Sequence, residues 1–277
     1  MKSRKIIATL LCLFAFASAS FAASNPLNDP TALALDANGN LWVANQGSNS
    51  ILEFNSSYEL QTKRTITQDI DTPTGLAFDP TGNLWVVNSA SNSVNEYTKG
   101  VENTAATISL TNPQGIAIDG LGNLWVSSQF NAVSVYIGQL PYAPPGFLLF
   151  TLSTPALKVY SIAISGGSLA WGALDGAGLF AAEGLLNGNV SSIAIPGSKT
   201  TLAMAAAADG VLFMANFDGT VDVYTPATNT TKQFLKLNSV PPGMAVDNVR
   251  GRVYLALGAQ NAIAVYSKSG ALLTTIQ

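Results

Sequence analysis

The side chains able to do chemistry in this chain are carboxylates, amides and hydroxyls. It holds no histidine, and its one cysteine, Cys12, lies near the start. That excludes a Ser–His–Asp triad, and loss of an N-terminal segment containing Cys12 would exclude a thiol nucleophile too. Zinc would find only carboxylate and amide ligands, a poor set for it, whereas hard oxygens suit calcium. Asp29 and Asp71 stand shortly before Pro30 and Pro73 and are the candidates for such an ion. Asn45, Asn88, Asn112, Asn216, Asp218 and Gln260 are the candidates for a polar ligand-binding surface. Beside both readings stands turn chemistry, because Asp and Asn next to Pro or Gly stabilise loops by their own hydrogen bonds. Asp36, Asp79, Asp119 and Asp247 recur ahead of glycine-containing turns, where a carboxylate accepts free backbone N–H groups. Identical recurrence argues against catalysis, which needs different residues in different roles.

The elements that must position these residues are repeats. FDPTGNLWVVN (Phe78 to Asn88) returns as LDANGNLWVAN (Leu35 to Asn45) and IDGLGNLWVSS (Ile118 to Ser128). An alanine marker recurs at Ala34, Ala77, Ala117, Ala163, Ala205 and Ala245, in steps of 43, 40, 46, 42 and 40 residues. Trp42, Trp85, Trp125, Trp171, Phe213 and Tyr254 follow the alanines by eight or nine residues. Phe54, Tyr97, Tyr136, Phe180, Tyr224 and Tyr266 make a third set, and the fourth copy is the weakest, with Ser165 where most have Asp. Each copy reads as four short strands, the second apolar on both faces and so needing cover on both. Radial packing supplies that cover. The expectation is an all-β fold, a six-bladed β-propeller of four-stranded antiparallel blades, with repeats starting near residues 30, 73, 113, 159, 201 and 241. Alanines let inner strands converge, and the aromatics are wedges between blades. No spare strand is left for closure, although Asn25 to Asn28 could add a short pairing, so blade packing alone would hold the ring.

Residues 1–22 read as an export signal: Lys2, Arg4 and Lys5, then an apolar run from Ile6 to Phe16, then Ser20-Phe21-Ala22. Residues 23–277 then form one domain whose location is periplasmic or extracellular. No membrane span is expected after the signal. Removing the three basic signal residues from 13 leaves 10 against 16 acidic ones, an acidic balance that repels phosphate backbones and excludes nucleic acid as a partner. Without disulfides, stability must come from the core.

Pro73-Thr-Gly-Leu-Ala-Phe-Asp-Pro-Thr-Gly-Asn-Leu-Trp-Val-Val-Asn88, with Asn92-Ser-Val-Asn-Glu-Tyr97, resembles an NHL repeat. The resemblance runs from Pro30 to about Gln277 and implies the six-bladed NHL-type propeller of exported bacterial proteins. NHL repeats usually carry Asp after the second strand, where this chain has Asn45, Asn88 and Asn216. Lyases among the six-bladed relatives depend on histidines, which are missing here. What the resemblance leaves open is a calcium site of the gluconolactonase and regucalcin kind, although no glutamate stands at the equivalent positions.

In a propeller, the loop entering the first strand and the loop leaving the second share one face. Asp29, Asn45, Asp69, Asp71, Asn88, Asn112, Asp175, Asn216, Asp218 and Gln260 would meet there. The loops NQGSNS, NSASNS and SSQFNA offer amides and hydroxyls with few charges. The reading is a non-catalytic propeller with no cofactor, binding a ligand, or a protein, peptide or glycan partner, through this face. The alternative is a calcium-dependent hydrolase or lactonase. LPYAPPGF (Leu140 to Phe147) reads as a rigid spacer or a docking loop. Gly167 to Gly184 lacks the strand-then-helix context of a phosphate loop.

Overall fold

The computed structural model describes residues 24–129, 132–138, 146–153, 158–165, 168–173, 176–180 and 192–277. The expected signal, Leu140 to Pro145 of the proline-rich stretch, and Asp175 lie outside the described residues. The described strands form six antiparallel sheets in chain order. Their inner strands are Pro30–Leu35, Pro73–Phe78, Pro113–Ile118, Val159–Ser165, Thr201–Ala206 and Met244–Asp247. Each inner strand packs beside the next, and the sixth packs beside the first, so the ring closes around an axis. The fold is a β-propeller.

Five of the sheets carry four strands or more and are complete blades; the first carries three. The expectation of six four-stranded blades is corrected to that extent. After its third strand, Ser50–Phe54, the first sheet has only the isolated bridges Ile51–Ile66 and Phe54–Leu60. Asn55 holds the chain there in a turn through Ser57 N and Glu59 N, at 2.9 and 3.0 Å. A one-turn helix at Thr62–Arg64 takes up the remainder. The second sheet divides its outer position between Val101–Glu102 and Ile108–Ser109.

The repeated motif explains itself in local hydrogen bonds. Asp79 Oδ1 accepts from the N–H groups of Thr81 and Asn83, and Oδ2 accepts from Asn83 Nδ2 and, at 3.4 Å, Trp85 Nε1. Asp36 and Asp119 do the same, with indole bonds from Trp42 at 3.3 Å and Trp125 at 3.1 Å. Gly39, Gly82 and Gly122 take the positive φ that each turn requires. Asp, Gly, Asn and Trp thus lock one hairpin, and the aspartates belong to the fold. Asp247 adapts the theme: burial opposes its charge, but the N–H and guanidinium of Arg250 prevail and hold its carboxyl below the usual range.

Trp42 and Trp85 are wedges as expected: Trp42 is buried among residues of sheets one and two, Trp85 among residues of sheets two and three. Losing such a ring costs about 3–5 kcal/mol. The closest approach of inner strands falls two residues before the alanine marker. A Cβ at Gly243 would lie 2.8 Å from Ala32 Cα, and one at Gly115 would lie 3.1 Å from Ser161 Cα. The fourth copy is one residue out of step, since Trp171 pairs with Ile162 and Ala163 with Ala170. Residues 168–173 and 176–180 form strands, so the glycine-rich stretch is part of a blade.

Closure uses more than packing. Asp29 N–H donates to Asn261 Oδ1 at 2.8 Å, and Asn25 Nδ2 donates to Asn261 O at 2.7 Å. Leu27 is buried in a cluster with Ala245, Tyr254 and Ile263 of the sixth sheet. Tyr58, held at φ 67°, meets the Tyr254 ring edge-on and accepts from Arg252. Residues 25–28 form no strand. Among the described residues, no helix is long and apolar enough to cross a membrane.

Candidate binding face

The loops entering the first strands and leaving the second strands do share a face, but most of the expected ligand-binding residues there are structural. Asn45 and Asn88 are buried at the ends of their strands and make the same pair of bonds. Asn45 Oδ1 accepts from Asn28 N–H at 2.6 Å while Nδ2 donates to Pro26 O at 3.1 Å. Asn88 Oδ1 accepts from Asp71 N–H at 3.0 Å while Nδ2 donates to Asp69 O at 3.1 Å. One amide therefore ties each incoming loop to the strand beside it. A carboxylate could accept but not donate, which explains asparagine where the resemblance implies aspartate.

Asn112 is half-buried at φ 49°, with its N–H capped by Asn92 Oδ1 at 2.8 Å. Asp29 and Thr72 hold the same place at φ 50° and 51°, capped by Asn261 and by Asn49. Each cap comes from the preceding sheet, so these residues join neighbours around the ring. Gln260 is exposed, with Nε2 donating to Ser239 Oγ at 3.2 Å.

Asp29 and Asp71 are not equivalent positions and face different neighbours. A Cβ at Gly258 would collide with Asp29 Oδ1, which places that carboxylate over the sixth sheet. Asp71 Oδ1 accepts from Thr72 Oγ1 at 3.3 Å, and the residue lines a recess in the second blade with Asp69, Asn95 and Glu102. Burial, with Asp69 next in order, raises the Glu102 carboxyl above its usual range. Among the described residues, no group of three or more His, Cys, Asp or Glu is arranged to hold a metal ion. The two carboxylates therefore do not converge on one point.

The fifth blade departs from the pattern. Asn216 is buried, but its Nδ2 donates to side chains, Thr220 Oγ1 at 3.0 Å and Asp222 Oδ2 at 2.7 Å. Lys199 Nζ lies 3.1 Å from Asp218 Oδ2 and 3.6 Å from Asp222 Oδ2, and donates to Thr220 Oγ1 at 2.9 Å. The Thr220 hydroxyl and N–H hold the Asp218 carboxyl far below its ordinary value, with help from Lys199. Asp218 in turn pushes the Lys199 ammonium up. The cluster is charged and ordered. Beside it stands Phe217, 64% exposed, where the other sheets have Gln46, Ser89, Gln129 and Gly258. Its N–H donates to Thr200 O at 2.9 Å, which fixes its backbone. Sequence reasoning missed Phe217; the available signal was a large apolar residue where the first, second, third and sixth copies have Gln46, Ser89, Gln129 and Gly258.

The axis offers little room. The cavity among the six inner strands is about 70 Å³, lined by Thr31, Thr74, Gly115, Tyr160, Leu202 and Pro242 among others.

No family model matches the chain. A search of curated proteins finds no match either. Solved structures do resemble it. Virginiamycin B lyase from Staphylococcus aureus is 15% identical, with 89% of this chain and 83% of that chain covered and a TM-score of 0.64. A streptogramin B lyase is 15% identical over 92% of this chain and 84% of its own, at a TM-score of 0.66. Hydrazine synthase from Kuenenia stuttgartiensis is 17% identical over 93% and 89%, at 0.65. At such identities the likeness shows the propeller fold alone.

Proposed function

We propose that this chain is an exported, non-catalytic propeller of NHL-type units, with the three-stranded first sheet completing a ring of six, which binds a macromolecular partner through its polar face. The observation that carries the reading is Phe217, an exposed aromatic whose backbone N–H is bonded to Thr200 O, beside the Lys199–Asp218 pair on the face that also carries the amide and hydroxyl loops. Rigid aromatics amid polar rims are the usual anchors of protein interfaces. The axial cavity of about 70 Å³ is far below the roughly 300–1,000 Å³ of small-molecule sites, so a protein, peptide or glycan chain at the axis would lie across the mouth rather than enter it. A catalytically inactive variant of the S. aureus lyase, altered from histidine to alanine, is known with quinupristin. This chain has no histidine to supply such a role.

The test places a photo-crosslinking side chain at Phe217 in the producing cell and, as control, at exposed Leu121 on the opposite face. A discrete adduct from the first position alone supports the reading; equal labelling from both, or from neither, overturns it. The calcium-dependent alternative is tested by thermal unfolding in calcium and in chelator, because an ion bound only to the folded state must raise the midpoint. A rise that disappears in Asp71→Ala would favour that alternative.

A further inference from the structure

On the opposite face, where the first and second sheets meet, a recess of about 410 Å³ opens to solvent. That volume lies within the range of small-molecule sites. Lys63, Arg64 and Lys99 line it, three of the ten basic residues that follow position 23. Trp42 and Ile66 are buried behind them and give an apolar wall.

The three cations are not alike. Arg64 is offset in charge: its Nε pairs with the buried Glu53 carboxylate, and its guanidinium lies 5.4 Å from the Trp42 ring centre. Lys63 and Lys99 have no ion-pair or hydrogen-bond partner among the described residues. Both are held by their backbones. Lys63 sits inside the one-turn helix Thr62–Arg64. Lys99, at φ 54°, and Gly100, at φ 86°, form the two-residue turn joining Ser93–Thr98 to Val101–Glu102. Glu53 offsets Arg64, so Lys63 and Lys99 leave the recess with a positive balance on a protein that is otherwise acidic. Asp36 stands behind the same wall, accepting from its own turn and from Trp42 Nε1, and its charge offsets part of that balance.

We propose that this recess binds a small molecule carrying an oxyanion group, carboxylate, sulfate or phosphate, whose charge is met by Lys63 from one sheet and Lys99 from the other. Ammonium groups act as point charges and suit a single oxyanion held between them. Two aliphatic stems and the wall of Trp42 and Ile66 would cover the rest of the ligand. The site is independent of the polar face and of whatever that face binds.

The experiment titrates the whole chain, at constant ionic strength held with sodium chloride, with inorganic phosphate, sodium sulfate, sodium glucuronate and, as neutral control, glucose. Heat of binding and tryptophan emission, to which Trp42 contributes, are both read. Saturable binding of at least one anion, with none for glucose, is expected. Lys63→Gln with Lys99→Gln should weaken it about tenfold or more while leaving the melting midpoint without ligand unchanged, since both side chains are exposed and unpaired. Preference for phosphate or sulfate identifies a phosphorylated or sulfated ligand, and preference for glucuronate an acidic sugar. No saturable binding by any anion, or equal affinity in the double variant, overturns the proposal.

Discussion

Replacing Asn88 by aspartate changes one NH2 group for one oxygen and nothing else in shape. The side chain is wholly buried. Its Oδ1 bond from Asp71 N–H would survive, but the donations to Asp69 O at 3.1 Å and Asn95 Oδ1 at 3.3 Å would be lost. A carboxylate oxygen would then face two acceptors. Leaving buried partners unsatisfied costs about 1–3 kcal/mol, and enclosing the charge adds to it, so about 3 kcal/mol is expected at pH 7.5. For a chain of this size that lowers the melting midpoint by roughly 6–12 °C. The sign of the pH dependence follows. Burial beside acceptors raises the new carboxyl's folded pKa above its unfolded value of about 3.9. The penalty is therefore full above the folded pKa and fades as pH falls through it, when the protonated acid can donate to Asp69 O again. Denaturant unfolding of the parent, Asn88→Asp and Asn88→Ala at pH 7.5 and 4.5 decides the matter. The aspartate variant should recover at low pH relative to the alanine variant. An aspartate variant within about 0.5 kcal/mol of the parent at pH 7.5 would show that donation to the incoming loop is not what asparagine supplies.

Three further outcomes are expected. Burial raises Glu96, and likewise Glu53 against the pull of Arg64, above the ordinary 4.5, so their charges weigh against folding at neutral pH. Stability should thus rise as pH falls from 7 toward 4.5, and Glu96→Gln should flatten that rise in a denaturant series. Asn261→Gly keeps the left-handed backbone of φ 49° but removes the cap on Asp29; a loss of about 1 kcal/mol and faster exchange of the Asp29 amide should follow. Gly243→Ala drives a methyl into Thr31 O and Ala32 Cα across the closure of the ring, which should cost about 2–3 kcal/mol in thermal unfolding.

What could be seen in the sequence was whatever is local. The hairpin built from Asp79, Gly82, Asn83 and Trp85 closes its turn on the Asp79 carboxylate within seven residues, so its residue types state its geometry. Asn45 and Asn88 read as candidates for a binding surface because their partners lie 17 and 19 residues back, at Asn28 and Pro26 and at Asp71 and Asp69. A buried staple and a solvent-facing amide are the same letter. Ring closure was hidden for the same reason: Asn261 meets Asp29 across 232 residues. The shortened first sheet was hidden because residues 55–66 have the mixed polar character of the outer strands elsewhere, and only the turn at Asn55 diverts them.

A repeat protein separates scaffold from site by its own symmetry. Whatever recurs at one position in several sheets meets a need that all the sheets share, and the structure shows that need: turn N–H groups for the aspartates, loop anchoring for the asparagines, interblade packing for the tryptophans. On the reading proposed above, function, which needs unlike groups in unlike roles, lies where copies disagree. Among the copies whose loops on this face are described, the fifth departs most there, because Lys199 occupies the place of Asn28 and Asp71, Phe217 that of Gln46 and Ser89, and Asp222 that of Leu52 and Asn95. Those three departures lie within one cluster and present one aromatic and one ordered ion pair to solvent. Asp222 is buried and Lys199 supplies its counter-charge, so those two departures account for each other, and Phe217 beside them is the one that the reading proposed above assigns to a partner.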